Sequence, residues 1–314
     1  MLFYFYLTYN DLVLLTTILE KSYTKLGVID LLFDFALIGG DERLTYMAEN
    51  LSDMKYNVTT YCLDVKEQKT NVFAAKSLKD AIESAKVLIC PTPFTFDNKT
   101  IVSKALNCVL SIEEFKNNIT KNNILFAGCI PKEILDICKQ KNITVYDYME
   151  NNHLAIYNSI ATAEGAIAEA IINQPTNLHL SNCLVLGFGR CAKTLANKLK
   201  GLLAKVSICA IDEDSRSEAN AYGYNSFDFS QLKNKIKDFK YIFNTIPSII
   251  LDENILPFVD SDVFILDIAR GVDMDFCKDK HINAKLSLGI PGRFSPKSSA
   301  DALTNLTLKI INET

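Results

Sequence analysis

The chain is poor in the residues that mark several common chemistries. It holds three histidines in 314 residues, His153, His179 and His281. They lie far apart and show no metal-ligand spacing, so no histidine-built metal centre is expected. The nine cysteines, at positions 62, 90, 108, 129, 138, 183, 191, 209 and 277, never form C-x-x-C, and several fall inside apolar strand patterns. That usage predicts buried free thiols in a reducing cytoplasm, not a zinc site or a disulfide framework. No lysine or arginine run forms a stripe, and 33 basic against 37 acidic residues give a net charge of −4, which excludes a nucleic-acid footprint. A Gly-x-Ser-x-Gly elbow is absent. Cys129 follows a strand and a glycine with no histidine evidently paired to it, and reads as a core thiol. There is no low-complexity segment and no sharp internal repeat. The apolar stretch of residues 1–19 is broken by Asn10 and Asp11 and lacks a basic leader or a small-residue cleavage site. Neither a signal peptide nor a membrane span is expected there. Residues 1–35 are expected to be a packed extra element or an extension from an upstream start.

What is present is a soluble globular composition, 48% hydrophobic and 22% charged, in a chain long enough for two cores. Apolar runs alternate with helical spacing. Strands are expected at Phe33–Ile38, Val58–Leu63, Lys86–Cys90, Asn123–Ala127 and Ile143–Tyr146, with helices between them. Ser111 and Glu114 have capping-box spacing. A long helix is expected over Asn158–Asn173, rich in small residues and containing Gly165, and Gln174-Pro175 stops it. A second strand–helix series follows. The fold expected is α/β: two parallel-sheet domains, the second a Rossmann domain, joined by a long linking helix and a C-terminal returning helix. The expected boundaries are 36–157 for a substrate-side domain, 158–176 for the linking helix, 177–290 for the dinucleotide domain and 291–314 for the returning segment.

The sharpest motif is Val185-Leu-Gly187-Phe188-Gly189-Arg190-Cys-Ala192. An apolar strand runs into Gly-x-Gly-x-x-Ala and then a helix. Gly187 permits the tight turn, Gly189 lets a pyrophosphate approach the backbone, and Ala192 lets helix and strand pack closely. The free N–H groups of the new helix would face the phosphates. Asp212, after the next strand, could bind an adenosine ribose or be a solvated turn acid; Arg216 could instead face a 2′-phosphate. Thr245-Ile246-Pro247 ends a later strand, as a segment passing the nicotinamide would, or as an ordinary proline turn. Arg43, Arg270, Arg293 and Lys297 could gather around an acidic substrate in an interdomain cleft or stay solvated.

Several segments together resemble the family of dipicolinate synthase A-subunits found in spore-forming bacteria. They are Ile38-Gly-Gly-Asp-Glu-Arg43, Cys90-Pro-Thr-Pro93, Asn158-Ser-Ile-Ala-Thr-Ala-Glu-Gly165, the glycine loop, Asn244-Thr-Ile-Pro247, Leu266-Asp-Ile-Ala269, and Gly289-Ile-Pro-Gly292 with Pro296-Lys297. They keep the family's order from about residue 36 to the end. The resemblance implies an NAD(P)-dependent oxidoreductase acting on a CH–CH bond. It would oxidise dihydrodipicolinate to dipicolinate with NADP as hydride acceptor, beside the flavoprotein-like dipicolinate synthase B-subunit, in the mother-cell cytoplasm during sporulation. It also implies a domain plan similar to that of alanine and D-2-hydroxyacid dehydrogenases. By motif, Gly187, Phe188, Gly189, Arg190, Asp212 and Thr245 to Pro247 would hold the cofactor. Arg43, Asn158, Ser159, Thr162 and Lys297 would hold the substrate. Glu164 is the candidate proton acceptor, its alternative being a helix carboxylate paired with a neighbouring base, and Lys297 a second catalytic candidate. No metal, nucleic acid or membrane is implied, and homo-oligomerisation is left open. Ile211 stands where an arginine would meet a 2′-phosphate, with Asp212 and Glu213 beside it, so NAD is the alternative cofactor. The alternative functions are a non-catalytic NAD(P)-binding partner subunit and a related dehydrogenase of 2-hydroxy or amino acids.

Overall fold

The computed structural model describes residues 32–65, 69–105 and 108–313. The expectation for residues 1–35 therefore falls almost wholly outside the described residues. The first sheet is built from β1 (Phe33–Ile38), β2 (Val58–Tyr61), β3 (Val72–Ala74), β4 (Ala85–Ile89), β7 (Ile124–Ala127) and β8 (Thr144–Asp147); a short antiparallel pair, β5 (Thr100–Ile101) and β6 (Leu110–Ser111), lies outside it. Its helices are α1 (Glu42–Asp53), α2 (Leu78–Glu83), α3 (Ile112–Asn118) and α4 (Lys132–Gln140). The long helix α5 (Asn152–Asn173) leads to the second sheet, β9 (Asn182–Leu186) to β14 (Ala284–Leu286), by way of β10 (Lys205–Cys209), β11 (Asn225–Phe227), β12 (Tyr241–Asn244) and β13 (Phe264–Asp267). Around it lie α6 (Arg190–Gly201), α7 (Glu213–Ala221), α8 (Leu232–Lys235) and α9 (Met274–Asp279), before α10 (Ile290–Phe294) and the returning helix α11 (Pro296–Glu313).

Both sheets are wholly parallel and share one topology. The first runs β3-β2-β1-β4-β7-β8 and the second β11-β10-β9-β12-β13-β14. Each is the doubly wound order in which the first strand of the unit lies centrally and the winding direction reverses beside it. A strand covered by helices on both faces must be apolar on both, which is why the central strands read as continuous apolar runs. Phe35 and Leu37 of β1 enter one core while Ala36 and Ile38 enter the other. Cys183 and Val185 of β9 are likewise separated from Leu184 and Leu186.

Helix starts follow local chemistry. Asp41 accepts from the Arg43 amide, Ser111 from that of Glu114, and Asn151 from that of Leu154; each side chain satisfies an otherwise orphaned donor. The long helix begins at Asn152 rather than Asn158, because Asn151 supplies that cap. Its alanines 163, 166 and 170 are buried against the second sheet. The last helix packs on α1 of the first domain: Ala300 and Leu303 share a core with Leu44, Met47 and Leu51. Tyr148 and Thr307 share a buried hydroxyl–hydroxyl bond of 2.6 Å.

Two cysteine expectations are corrected. Cys62 and Cys108 form a disulfide, with Cα atoms 5.8 Å apart; forty-six residues of sequence separate them, so spacing gives no hint of the pair. Cys129 is exposed, not in a core, and sits in a left-handed turn with φ of 51°. Among the described residues no helix is long and apolar enough to cross a membrane.

Candidate functional site

In an open parallel sheet, ligands lie beyond the carboxyl ends of the strands, where the winding reverses. In the second sheet that point lies between β9 and β12. Gly187 leaves β9 with φ of +90°, and its amide donates to the carbonyl of Cys209 at 2.8 Å. A Cβ there would lie 2.9 Å from Thr245 Oγ1 and 3.0 Å from Ile246 Cγ1, so glycine is required by backbone and by space alike. Gly189 caps α6 without any side-chain hydrogen bond, and a Cβ built on it meets nothing within 4 Å. The first amides of a twelve-residue helix are thus left facing an open cradle. An anionic diphosphate fits that place by dipole and by donor geometry.

The neighbouring strand ends complete the wall. Thr245 Oγ1 donates to the Leu186 carbonyl at 2.8 Å, and Ile246 stands beside it against Gly187. Pro247 is exposed at the rim. Beneath them Asn244 and Asp267, both fully buried, bind each other. Arg190 is exposed and donates to Asn152 at 3.1 Å. Asp212 caps α7, accepting from the Ser215 amide at 2.7 Å; that bond holds its carboxyl below the usual carboxylate range. Phe188 differs from expectation: its ring is buried between Tyr222 and Tyr224, so only its backbone remains for a ligand.

The matching point of the first sheet lies between β1 and β4. Here Arg43 is buried and held on both sides. Its Nε and Nη2 pair with Asp41 at 2.9 and 2.8 Å, and Nη2 also donates to the Thr92 carbonyl. Gly292, from the returning segment, packs against this pair: a Cβ there would lie 2.5 Å from Asp41 Oδ2 and 2.9 Å from Arg43 Nε. A cavity of about 410 Å³ opens beside it, with Asp41, Glu42, Asp64, Lys104 and Arg293 among its walls. Two buried polar atoms, Thr92 Oγ1 and Asn158 Oδ1, have no partner. Buried polar groups are normally paired, so these two are the atoms a ligand would be expected to satisfy. Thr92 was not singled out from the sequence; the Cys90-Pro-Thr-Pro93 segment that carries it was the available signal.

The structure does not bring the rest of the Asn158–Gly165 run to this cleft. Ser159 is buried and bonds Thr194 of α6 at 2.6 Å, and Thr162 bonds the Asn158 carbonyl at 2.9 Å. Both fasten helices, so their expected substrate role is corrected. Glu164 is exposed and pairs with Lys198 at 2.9 Å. Lys198 lies in the last turn of α6, about 12 Å along the axis from the glycine loop; the proton-acceptor role falls with that placement. Lys297 is exposed in the first turn of α11. Gly165 is explained by packing, since a Cβ there would lie 2.7 Å from Phe294 Cδ2. Arg293 is drawn to buried Glu169, at 3.2 Å, where Lys285 also binds at 2.6 Å. Burial works against that carboxylate's charge, but the Lys285 hydrogen bond and the two cations outweigh it and hold the group below its usual range. At Cys129, burial first and then the Asp147 charge push the thiol up, with Arg43 pulling the other way, so it is no activated nucleophile. Among the described residues no cluster of metal-ligating side chains is gathered.

Two doubly wound domains, a glycine loop opening onto an uncapped helix, and a polar cleft at the companion switch point define a two-domain protein of the Rossmann-like dehydrogenase fold. An L-alanine dehydrogenase shares that fold, with a TM-score of 0.58 at 14% identity over 88% of each chain. More particularly, residues 34–149 belong to the family of dipicolinate synthase A-subunit N-terminal domains. The resemblance to the A-subunit extends through both domains. The chain is 28% identical to the dipicolinate synthase A-subunit of Bacillus subtilis (strain 168) over 294 residues, 88% of this chain and 95% of that protein. It superposes on the crystal structure of the dipicolinate synthase A-subunit from Bacillus halodurans with a TM-score of 0.81 at 26% identity, over 89% of this chain and 98% of that one.

Proposed function

We propose that this chain is a nicotinamide-dependent oxidoreductase subunit that oxidises dihydrodipicolinate to dipicolinate. It would work beside a flavoprotein-like B-subunit in the mother-cell cytoplasm during sporulation. The observation that carries the reading is the open cradle at Gly189 within a chain similar to the dipicolinate synthase A-subunit along both domains. The amides that open α6 would hold the diphosphate, and Thr245 and Ile246 would line the nicotinamide side.

The cofactor supplies the hydride acceptor. The substrate loses two hydrogens, one as hydride to the nicotinamide and one as a proton to base or water, and gains an aromatic ring. Aromatisation drives the step, so the chain's task is to position the donor carbon and neutralise a dianion. Lys297 and the part of Arg43 not engaged by Asp41 are the cations offered for the carboxylates. Thr92 Oγ1 and Asn158 Oδ1 are the buried atoms offered for further hydrogen bonds.

The test is an assay of the purified chain, with and without the B-subunit, on freshly generated dihydrodipicolinate. Product absorbance and cofactor reduction are followed together. Stoichiometric dipicolinate and reduced nicotinamide are expected. Nucleotide binding without any turnover in the presence of the B-subunit would replace the enzyme by a non-catalytic binding protein. The pairing of Arg43 with Asp41 and of Glu164 with Lys198 favours that second reading.

A further inference from the structure

We propose that this chain takes the 2′-hydroxyl form of the nicotinamide dinucleotide, NAD, and rejects the 2′-phosphorylated form, through Asp212 and through an inward pull of Asp228 on Arg216. The inference rests on the nucleotide reading above and sets its specificity. In this topology the adenosine ribose lies at the end of the strand next to the glycine turn. Here that strand is β10, tied to the turn by the Gly187 amide on the Cys209 carbonyl. Asp212 follows three residues later, exposed and ionised, with one carboxylate oxygen on the Ser215 amide and the other outside that bond. A free carboxylate oxygen accepts from a ribose hydroxyl and repels a phosphate dianion. Glu213 and Asp214 in the same turn add to that repulsion, and the preceding side chain, Ile211, is 66% exposed and carries no charge.

The cations close by are engaged elsewhere. Arg216 Nη1 donates to the carbonyls of Ala210 and Ile211 and to Asp228 Oδ2 at 3.0 Å. The guanidinium therefore closes the back of the turn. Lys193, in the first turn of α6, pairs with Glu218 at 2.7 Å. A 2′-phosphate would meet carboxylates with no committed partner, and removing Asp228 would release the one arginine on α7.

The experiment is calorimetric titration of the full chain with NAD⁺ and with NADP⁺, without substrate. NAD⁺ is expected to bind at least about tenfold more tightly, a ratio worth about 1.4 kcal/mol. Asp212→Asn keeps a good helix cap and should narrow the ratio. Ile211→Arg combined with Asp212→Asn should reverse it, and Asp228→Ala should strengthen NADP⁺ binding alone. Equal or tighter NADP⁺ binding by the unaltered chain overturns the inference and leaves the nucleotide site standing. Preference for NAD⁺ that survives Asp212→Asn unchanged overturns the assignment to Asp212. Binding of neither dinucleotide overturns the nucleotide reading with it.

Discussion

Asn244 and Asp267 stand at the carboxyl ends of adjacent parallel strands, neither exposed, and the Asn244 amide donates to the Asp267 carboxylate at 2.8 Å. Asp267 also accepts from the amides of Ala269 and Val272, at 2.9 and 3.0 Å. Asn244 in turn binds both the amide and the carbonyl of Ile246. One buried pair thus shapes two consecutive strand-end turns, and one of them backs the glycine loop. Asp267→Ala would leave at least two buried amide donors without partners, at about 1 to 3 kcal/mol each. The expected outcome is a fall in unfolding free energy of about 2 to 5 kcal/mol in urea titrations, with dinucleotide binding weakened in the molecules that remain folded.

Gly189→Ala separates binding from folding. The backbone there has φ of −79° and open space where a Cβ would point, so stability should stay within about 0.5 kcal/mol. A methyl in the cradle should hold a diphosphate away from the helix amides and weaken dinucleotide binding at least about tenfold. Calorimetric titration beside thermal unfolding reads both quantities on one sample.

Gly165→Ala has the opposite signature. Replacing glycine inside a helix gains about 1 kcal/mol from propensity. The added methyl would press on Phe294 and Ile290 of α10, and overpacking costs about 1 to 3 kcal/mol. A net loss of stability is expected in the urea midpoint, although a solvent-facing glycine in a helix would show a gain.

Glu164→Gln should leave turnover unchanged and shift stability by no more than a few tenths of a kcal/mol, because the pair it breaks is exposed. A large loss of kcat would return the proton-acceptor role to that residue.

Buried Glu169 should impose an acid limb on stability. Its folded-state titration lies below the unfolded value. The stabilisation is therefore complete above the unfolded value, about pH 4.3, and is lost as pH falls below it through the folded value. Urea midpoints from about pH 7 to about pH 3 should fall more steeply for the unaltered chain than for Glu169→Gln, which carries no such titration.

The architecture was legible in the sequence where local physics decides it. Phe33–Ile38 is apolar on both faces and is a strand with those limits. Ser111 makes the cap its spacing predicts, and the glycine loop falls between strand and helix. The three-residue strands Val72–Ala74 and Asn225–Phe227 were not legible. They are short edge strands without a full alternation to read. The site was legible at the dinucleotide end, where motif and backbone are the same object. It was obscure in the linking helix, where one face meets α6, another the second sheet and another α10. A run of small residues does not say which face is which, and so Ser159, Thr162 and Glu164 pointed elsewhere. Arg43 was placed in the cleft correctly, but its partner was hidden: Asp41 is an N-cap carboxylate folding over the first turn, not a helical neighbour at i+3 or i+4.

The returning helix sets the order in which this protein can become whole on the ribosome. The face of the first domain formed by Leu44, Met47, Leu51 and Tyr148 is closed by Ala300, Leu303 and Thr307. Synthesis delivers the amino-terminal part first, so that face must wait, uncovered, while the whole dinucleotide domain is translated. Completion of the first domain is therefore an event of the last few residues, and any interruption upstream of residue 300 leaves an oily surface open to chaperones and proteases.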